Sequence, residues 1–165
     1  MEWIILIFIV VVLLFALVAT KGGKDYRYRV KGTLFSPAER SFYGVIESAV
    51  SDSYRVFGKV RIADILTPEK GMSRKNWQIA FNKISAKHFD YVLCCKDTLK
   101  VVAVVELDDK SHKKPSSKKR DNLIQSACES ASLTLVRFPA KASYSISEVK
   151  EVIENSINPP QPKNV

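Results

Sequence analysis

The chain has 165 residues, enough for one compact domain and too few for two domains of ordinary size. Its formal net charge is +9 at pH 7, which suits a polyanionic partner, either nucleic acid or an anionic membrane surface. The three cysteines are an odd number and two of them are adjacent. This composition argues against a disulfide framework and for free thiols in a reducing compartment.

An unbroken apolar run opens the chain, from Trp3 to Ala19. As a helix these residues would reach about 25 Å, the short end of what spans a bilayer. Glu2 stands where a cleaved signal peptide would carry basic residues, so we expect an uncleaved transmembrane anchor over residues 1–20. Basic residues follow the run, and the positive-inside rule then leaves the N-terminus outside and the rest of the chain in the cytoplasm.

Hydrophobic periodicity predicts helices and strands after a basic linker over residues 21–35. Ser36 and Glu39 form a capping-box pattern that begins the first helix of the body. The predicted elements are helices over 36–50, 74–87, 117–131 and 147–157, and strands over 54–62, 91–95, 101–105 and 133–138. A short turn joins the second and third strands, so this pair should be antiparallel, and its continuous apolar character predicts a sheet covered on both faces. Residues 158–165 form a proline-rich tail that we expect to be disordered.

Carboxylates lie at the ends of the two central strands. Asp90 opens the first strand, Glu106 directly follows the second, and Asp108 projects on the same side as Glu106. Such burial is costly unless a cation or hydrogen bonds compensate it, and two or three carboxylates suit a hard cation such as Mg²⁺ or Mn²⁺. Nearby basic residues could hold a phosphate backbone; they are Lys110, Lys113, Lys114, Lys118, Lys119 and Arg120. The alternative is a solvated turn, which accounts for the lysines but leaves Glu106 unexplained.

Five further polar residues are candidates for the same site. Glu39 is either a capping residue or an additional metal ligand. His112 is of the residue type best suited to general acid or base chemistry near neutral pH. Lys118, Asp121 and Gln125 are spaced three and four apart, so they share one polar face of a helix. The cysteines and histidines show none of the paired spacings of a zinc site.

At these residues the chain resembles the bacterial domain of unknown function 2726 family. The resemblance rests on Phe89-Asp90, Glu106-Leu107-Asp108-Asp109 with Ser111-His112, Asp121 on a helix, and Leu135-Val136-Arg137-Phe138. It extends from about Tyr28 to Ile153. The family is placed in the restriction-endonuclease-like PD-(D/E)XK superfamily, near the very short patch repair endonucleases. The resemblance implies an α/β domain over residues 36–157, with a central mixed four-stranded sheet flanked by helices, and Mg²⁺-dependent cleavage of nucleic acid.

The resemblance also implies roles for individual residues. Asp90 matches the metal-binding Asp of the superfamily, and Glu106 matches the second acid. The superfamily usually has a lysine two residues after that acid, where this chain has Asp108. Branches that carry an acid there often keep a downstream histidine, which His112 would supply. Alternatively, Lys118 or Gln125 of the polar helix face could take over the lysine's role.

The sequence therefore predicts a membrane-anchored, metal-dependent nuclease, held at the bacterial inner membrane by residues 3–19. Asp90, Glu106 and Asp108 would hold Mg²⁺ or Mn²⁺, and His112 would assist proton transfer. The polar helix face would complete the site, and the substrate would be DNA in preference to RNA. The alternative is a non-catalytic nucleic-acid-binding or protein-interaction module that keeps a degenerate nuclease fold.

Overall fold

A four-stranded sheet with helices on both faces forms the centre of the fold. The computed structural model describes residues 1–19, 25–108 and 115–160, without the side chains of residues 14, 16–19 and 115–117. The helices are α1 (Glu2–Ala19), α2 (Pro37–Val50), α3 (Ile62–Ile65), α4 (Arg74–Ile84), α5 (Pro115–Ser130) and α6 (Ile146–Ile157). The strands are β1 (Tyr54–Arg61), β2 (His88–Cys95), β3 (Val101–Asp108) and β4 (Thr134–Pro139). All elements predicted for the body of the chain form, and the short α3 is an addition.

The sheet is mixed, with strand order β1-β2-β3-β4. Strand β2 is antiparallel to both of its neighbours, β1 and β3, whereas β4 runs parallel to β3. The antiparallel hairpin expected for β2 and β3 is therefore confirmed, and so is the mixed four-stranded α/β sheet.

Helices cover both faces of the sheet, which suits the long apolar runs of β2 and β3. On one face, α2 and α6 pack through Phe42, Ile46 and Ile153. On the other face, α5 packs through Ile124 and Cys128. The two central strands are consequently buried over most of their residues, as their continuous apolar character predicts.

The strand directions bring particular residues to one edge of the sheet. Since β2 and β3 are antiparallel, the start of β2 lies beside the end of β3. Tyr91 pairs with Val105, and Asp90 and Glu106 stand one position further towards this edge. The parallel strand β4 ends at the same edge, where Arg137 pairs with Glu106. The fold thus collects charged residues from three strands.

The predicted transmembrane anchor is wrong. The apolar run forms α1, which has 18 residues. Within residues 1–19, 25–108 and 115–160, no helix is both long and apolar enough to cross a membrane. The predicted single-pass location in the inner membrane is corrected accordingly, and the lipid bilayer as a partner of residues 3–19 stays a prediction.

Contacts divide the chain into two units, Met1–Gly32 and Thr33–Val165. Helix α1 belongs to the first unit, and the sheet with its five further helices belongs to the second. The predicted linker over 21–35 and the predicted disordered tail stay predictions, because residues 20–24 and 161–165 lie outside the described residues.

Candidate metal centre

Asp90 and Glu106 form a buried carboxylate pair at the edge of the sheet. Their residues are only 6% and 3% exposed. Glu106 Oε1 accepts a hydrogen bond of 3.3 Å from the backbone N–H of Asp90, and Asp90 Oδ2 accepts one of 3.1 Å from the backbone N–H of Leu107. Each carboxylate is therefore held by the backbone of the other residue's strand.

Burying the two ionised carboxylates side by side is electrostatically unfavourable. Burial, and then the neighbouring charge of Asp90, raise the pKa of Glu106 to about 7. Arg120 of α5 acts against this rise, since its Nη2 lies 3.1 Å from Glu106 Oε2. The same guanidinium group lies 3.5 Å from the carbonyl oxygen of His88. The pair thus favours a positive charge beside it, and Arg120 provides one.

Lys59 provides a second positive charge from β1. Its ammonium group lies 2.9 Å from Asp90 Oδ1 and 2.6 Å from Glu39 Oε1. Glu39 is also the capping residue of α2, because its Oε2 accepts the backbone N–H of Ser36 at 2.8 Å. Burial would raise the pKa of Glu39, but the hydrogen bonds from Lys59 and Ser36 outweigh it and leave the pKa lowered. Glu39 therefore completes the capping box of α2 and also binds Lys59, which connects it to Asp90.

Asp108 stands at the end of β3 with a cation of its own. Its Oδ1 lies 2.9 Å from Nη1 of Arg137, whose Nη2 donates to the backbone carbonyl of Asp121 at 3.3 Å. Arg137 thereby connects β4 to β3 and to α5. Asp108 is half-buried, unlike the Asp90–Glu106 pair.

The comparison with protein families gives a match over most of the chain. The family model described as "Protein of unknown function (DUF2726)" matches residues 31–157. The chain belongs to this family. The matched range contains the sheet, helices α2 to α6 and all the acids described above. No curated protein and no solved structure matches the chain.

The other predicted site residues of this DUF2726 chain are only partly gathered at the pair. Lys118 and Lys119 are exposed on the first turns of α5. Gln125 is exposed and donates to Glu129 of its own helix at 2.8 Å. Asp121 is half-buried, and its backbone carbonyl accepts from Arg137. The predicted residues Lys110, His112, Lys113 and Lys114 lie outside the described residues.

Sequence reasoning missed Lys59, and it named Arg137 only within the motif that carries the resemblance, without a role. Lys59 interrupts the apolar alternation of β1 directly after Gly58, and a glycine inside a strand often marks an irregularity. A Cβ atom at Gly58 would overlap the ring of Phe35, so a larger residue there would have to displace that ring. The position of Lys59 directly after a glycine in a strand was visible in the sequence. The pairing of Lys59 with Asp90 was not, because it depends on the register between β1 and β2.

The acids suit Mg²⁺ in their chemistry. Carboxylate oxygens are hard ligands, and Mg²⁺ commonly takes one or two of them, completing its shell with water and substrate phosphates. Among the residues that the structure describes, no group of three or more Asp, Glu, His or Cys side chains forms a metal site. In this DUF2726 chain an ion would have two buried carboxylates to bind, those of Asp90 and Glu106, whose oxygens Lys59 and Arg120 also contact.

Proposed function

We propose that this chain is a metal-dependent nuclease that hydrolyses phosphodiester bonds in nucleic acid, with DNA as substrate in preference to RNA. The proposal includes membership of the restriction-endonuclease-like superfamily, near the very short patch repair endonucleases. The observation that carries it is the buried Asp90–Glu106 pair, which contacts Arg120 of α5, the helix that also carries the exposed Lys118 and Lys119. Two buried like charges are unfavourable unless something compensates them. A bound divalent cation, as in a metal-dependent nuclease, would provide that compensation.

Asp90 and Glu106 would hold the ion. When bound, Mg²⁺ would polarise the phosphodiester and lower the pKa of a water molecule. The backbone N–H groups of Asp90 and Leu107 fix the orientation of the two carboxylates, whereas Lys59 on Asp90 Oδ1 and Arg120 on Glu106 Oε2 would have to give way to an ion. Asp108 stays a candidate third ligand, although Arg137 pairs with it.

Basic residues near the pair would bind the substrate. Lys118 and Lys119 are exposed at the start of α5, the helix that also carries Arg120 beside Glu106. Positive charge along one helix suits a phosphate backbone, which is recognised without regard to base sequence. His112 remains the proposed residue that would assist proton transfer, as a general base or acid.

The test is cleavage by the full chain with Mg²⁺ or Mn²⁺, using supercoiled DNA, linear DNA and RNA. Glu106→Gln keeps the shape of the side chain and removes its charge, so we expect a loss of at least about 100-fold in rate. Asp64→Asn is the matched control, because Asp64 is an exposed acid paired with Arg61. If the wild-type chain and Glu106→Gln are equally inert on every substrate, the nuclease proposal is wrong.

A second candidate function is a non-catalytic nucleic-acid-binding or protein-interaction module. The observation that favours it is the internal pairing of the acids. Lys59, Arg120 and Arg137 neutralise Asp90, Glu106 and Asp108 respectively, so the cluster could stand without a metal ion. This function predicts that DNA binding survives in Glu106→Gln and that no divalent cation is required for it, which an anisotropy titration in EDTA measures.

A further inference from the structure

Lys59 adopts a backbone conformation that a lysine seldom takes. Its φ angle is 56°, in the left-handed region that favours glycine. It stands opposite Asp90, between the cross-strand pairs Gly58–Tyr91 and Val60–Phe89. Strain of this kind persists only where the surroundings compensate for it, and it is common at functional sites. The ion pairs of the lysine side chain are the compensation that the structure offers.

The ammonium group of Lys59 lies between two elements. It is 2.6 Å from Glu39 Oε1 on α2 and 2.9 Å from Asp90 Oδ1 on β2. The side chain is 24% exposed and that of Asp90 is 9% exposed, so the contact is screened only in part by water. The group therefore competes directly with any other cation that approaches Asp90 Oδ1.

The net charge of the five charged groups around the Asp90–Glu106 pair depends on the ammonium group of Lys59. Glu39, Asp90 and Glu106 bring three negative charges when ionised, and Lys59 and Arg120 bring two positive charges, which leaves −1. Without Lys59 the balance would be −2. A divalent cation a few ångströms away would experience that difference strongly, because electrostatic interactions in a partly buried site exceed those in water.

We propose that Lys59 is a positioning residue that lowers the affinity of the Asp90–Glu106 pair for a divalent cation, by holding Asp90 and neutralising Glu39. This inference rests on the metal site of the proposed function. It predicts that replacing Lys59 raises the affinity for the metal ion, whereas replacing its partner Glu39 lowers that affinity. A merely structural ion pair would make both replacements act in the same direction, since either substitution breaks it.

The experiment is a calorimetric titration of the full chain with Mn²⁺ at fixed pH, with folding checked by circular dichroism. We expect Lys59→Met to bind Mn²⁺ about tenfold more tightly than the wild-type chain. Glu39→Gln should bind it several-fold more weakly, because it removes a negative charge and leaves Lys59 on Asp90. Lys100→Met is the control, since Lys100 is exposed in the β2–β3 turn, and it should leave the affinity unchanged.

Unchanged or weaker Mn²⁺ binding by folded Lys59→Met would overturn the inference, as would a shift of both variants in the same direction. Should Lys59→Met fail to fold, Glu39→Gln decides, and an unchanged affinity there would overturn it. A complete absence of Mn²⁺ binding in all variants would overturn it together with the metal site. Cleavage by the same proteins separates the two proposals: the expected shifts without cleavage contradict only the nuclease, whereas cleavage with unshifted affinities contradicts only the role of Lys59.

Discussion

Glu106 is a residue whose ionisation opposes folding. Its pKa is raised from an ordinary value of 4.5 to about 7 by burial and by Asp90. Below pH 4.5 the carboxyl group is protonated in both the folded and the unfolded state and does not affect stability. Between pH 4.5 and 7 the folded state holds a proton that the unfolded state has lost, so the free energy of unfolding falls as pH rises. Above pH 7 the full cost of roughly 3 kcal/mol applies.

We therefore expect Glu106→Gln to be more stable than the wild-type chain at pH 8 without divalent cations, by roughly 1–3 kcal/mol. The gain should shrink to well under 1 kcal/mol near pH 4.5, by the same reasoning. Arg120 limits the gain, because it loses its partner, but its side chain is 41% exposed and can turn to water. Urea unfolding at the two pH values measures this. Glu151→Gln, on the exposed side of α6, is the control, and an equal gain at both pH values would contradict the prediction.

The site shows what sequence can and cannot predict at this scale. Asp90 and Glu106 were predictable because each acid adjoins a continuous apolar strand, and this conflict is legible in the sequence alone. The partners of these acids were not predictable. Lys59 lies 31 positions from Asp90, and only the register of β1 against β2 brings the two together. For Gln125 the helical spacing was right, and its side chain donates to Glu129 of its own helix, so its role in the site stays a prediction.

At the scale of elements, α2 is fixed to the sheet by aromatic packing. Phe42 is fully buried, and its ring lies 5.0 Å from that of Phe138 and 4.7 Å from that of Tyr144. We expect Phe42→Ala to lower the free energy of unfolding by roughly 3–5 kcal/mol, because it leaves a cavity between α2, β4 and the start of α6. Urea unfolding measures this cost.

Phe57 supplies the matched control for Phe42. It is a phenylalanine of β1 that is 42% exposed, so Phe57→Ala removes the same atoms from a site that water already reaches. Its expected cost is about 1 kcal/mol or less. Equal costs for the two substitutions would show that α2 contributes little to the core.

The presence of helices and strands was easier to predict than the residues at which they end or, for α1, the membrane environment. The capping box of Ser36 and Glu39 marked the start of α2, and both of its hydrogen bonds form. Helix α4 was expected to reach residue 87 and ends at Ile84, because helix ends have weaker local signals than their apolar faces. The anchor prediction failed although the apolar run was clear in the sequence and forms the helix α1, because no helix among the described residues is long and apolar enough to cross a membrane.

On the scale of the whole molecule, the positive charge should govern binding to nucleic acid. The chain carries +9 at pH 7, and each phosphate contact to duplex DNA contributes about 0.9 to the slope of log affinity against log salt concentration. Lys118 and Lys119 are exposed near Arg120, which contacts the acid pair. Replacing both with glutamine should therefore lower the slope by about 2.

The matched control is the double substitution of Lys96 and Lys100 with glutamine. These lysines are also exposed, but they lie in the β2–β3 turn, at the opposite end of the strands from Asp90 and Glu106. If DNA binds across the acid pair, the control should keep the wild-type slope, whereas binding through diffuse charge would lower both slopes equally. Fluorescence anisotropy in EDTA, over a series of salt concentrations, distinguishes the two. An equal loss in both variants would mean that the duplex does not lie over the candidate metal centre, and the start of α5 would lose its assigned role.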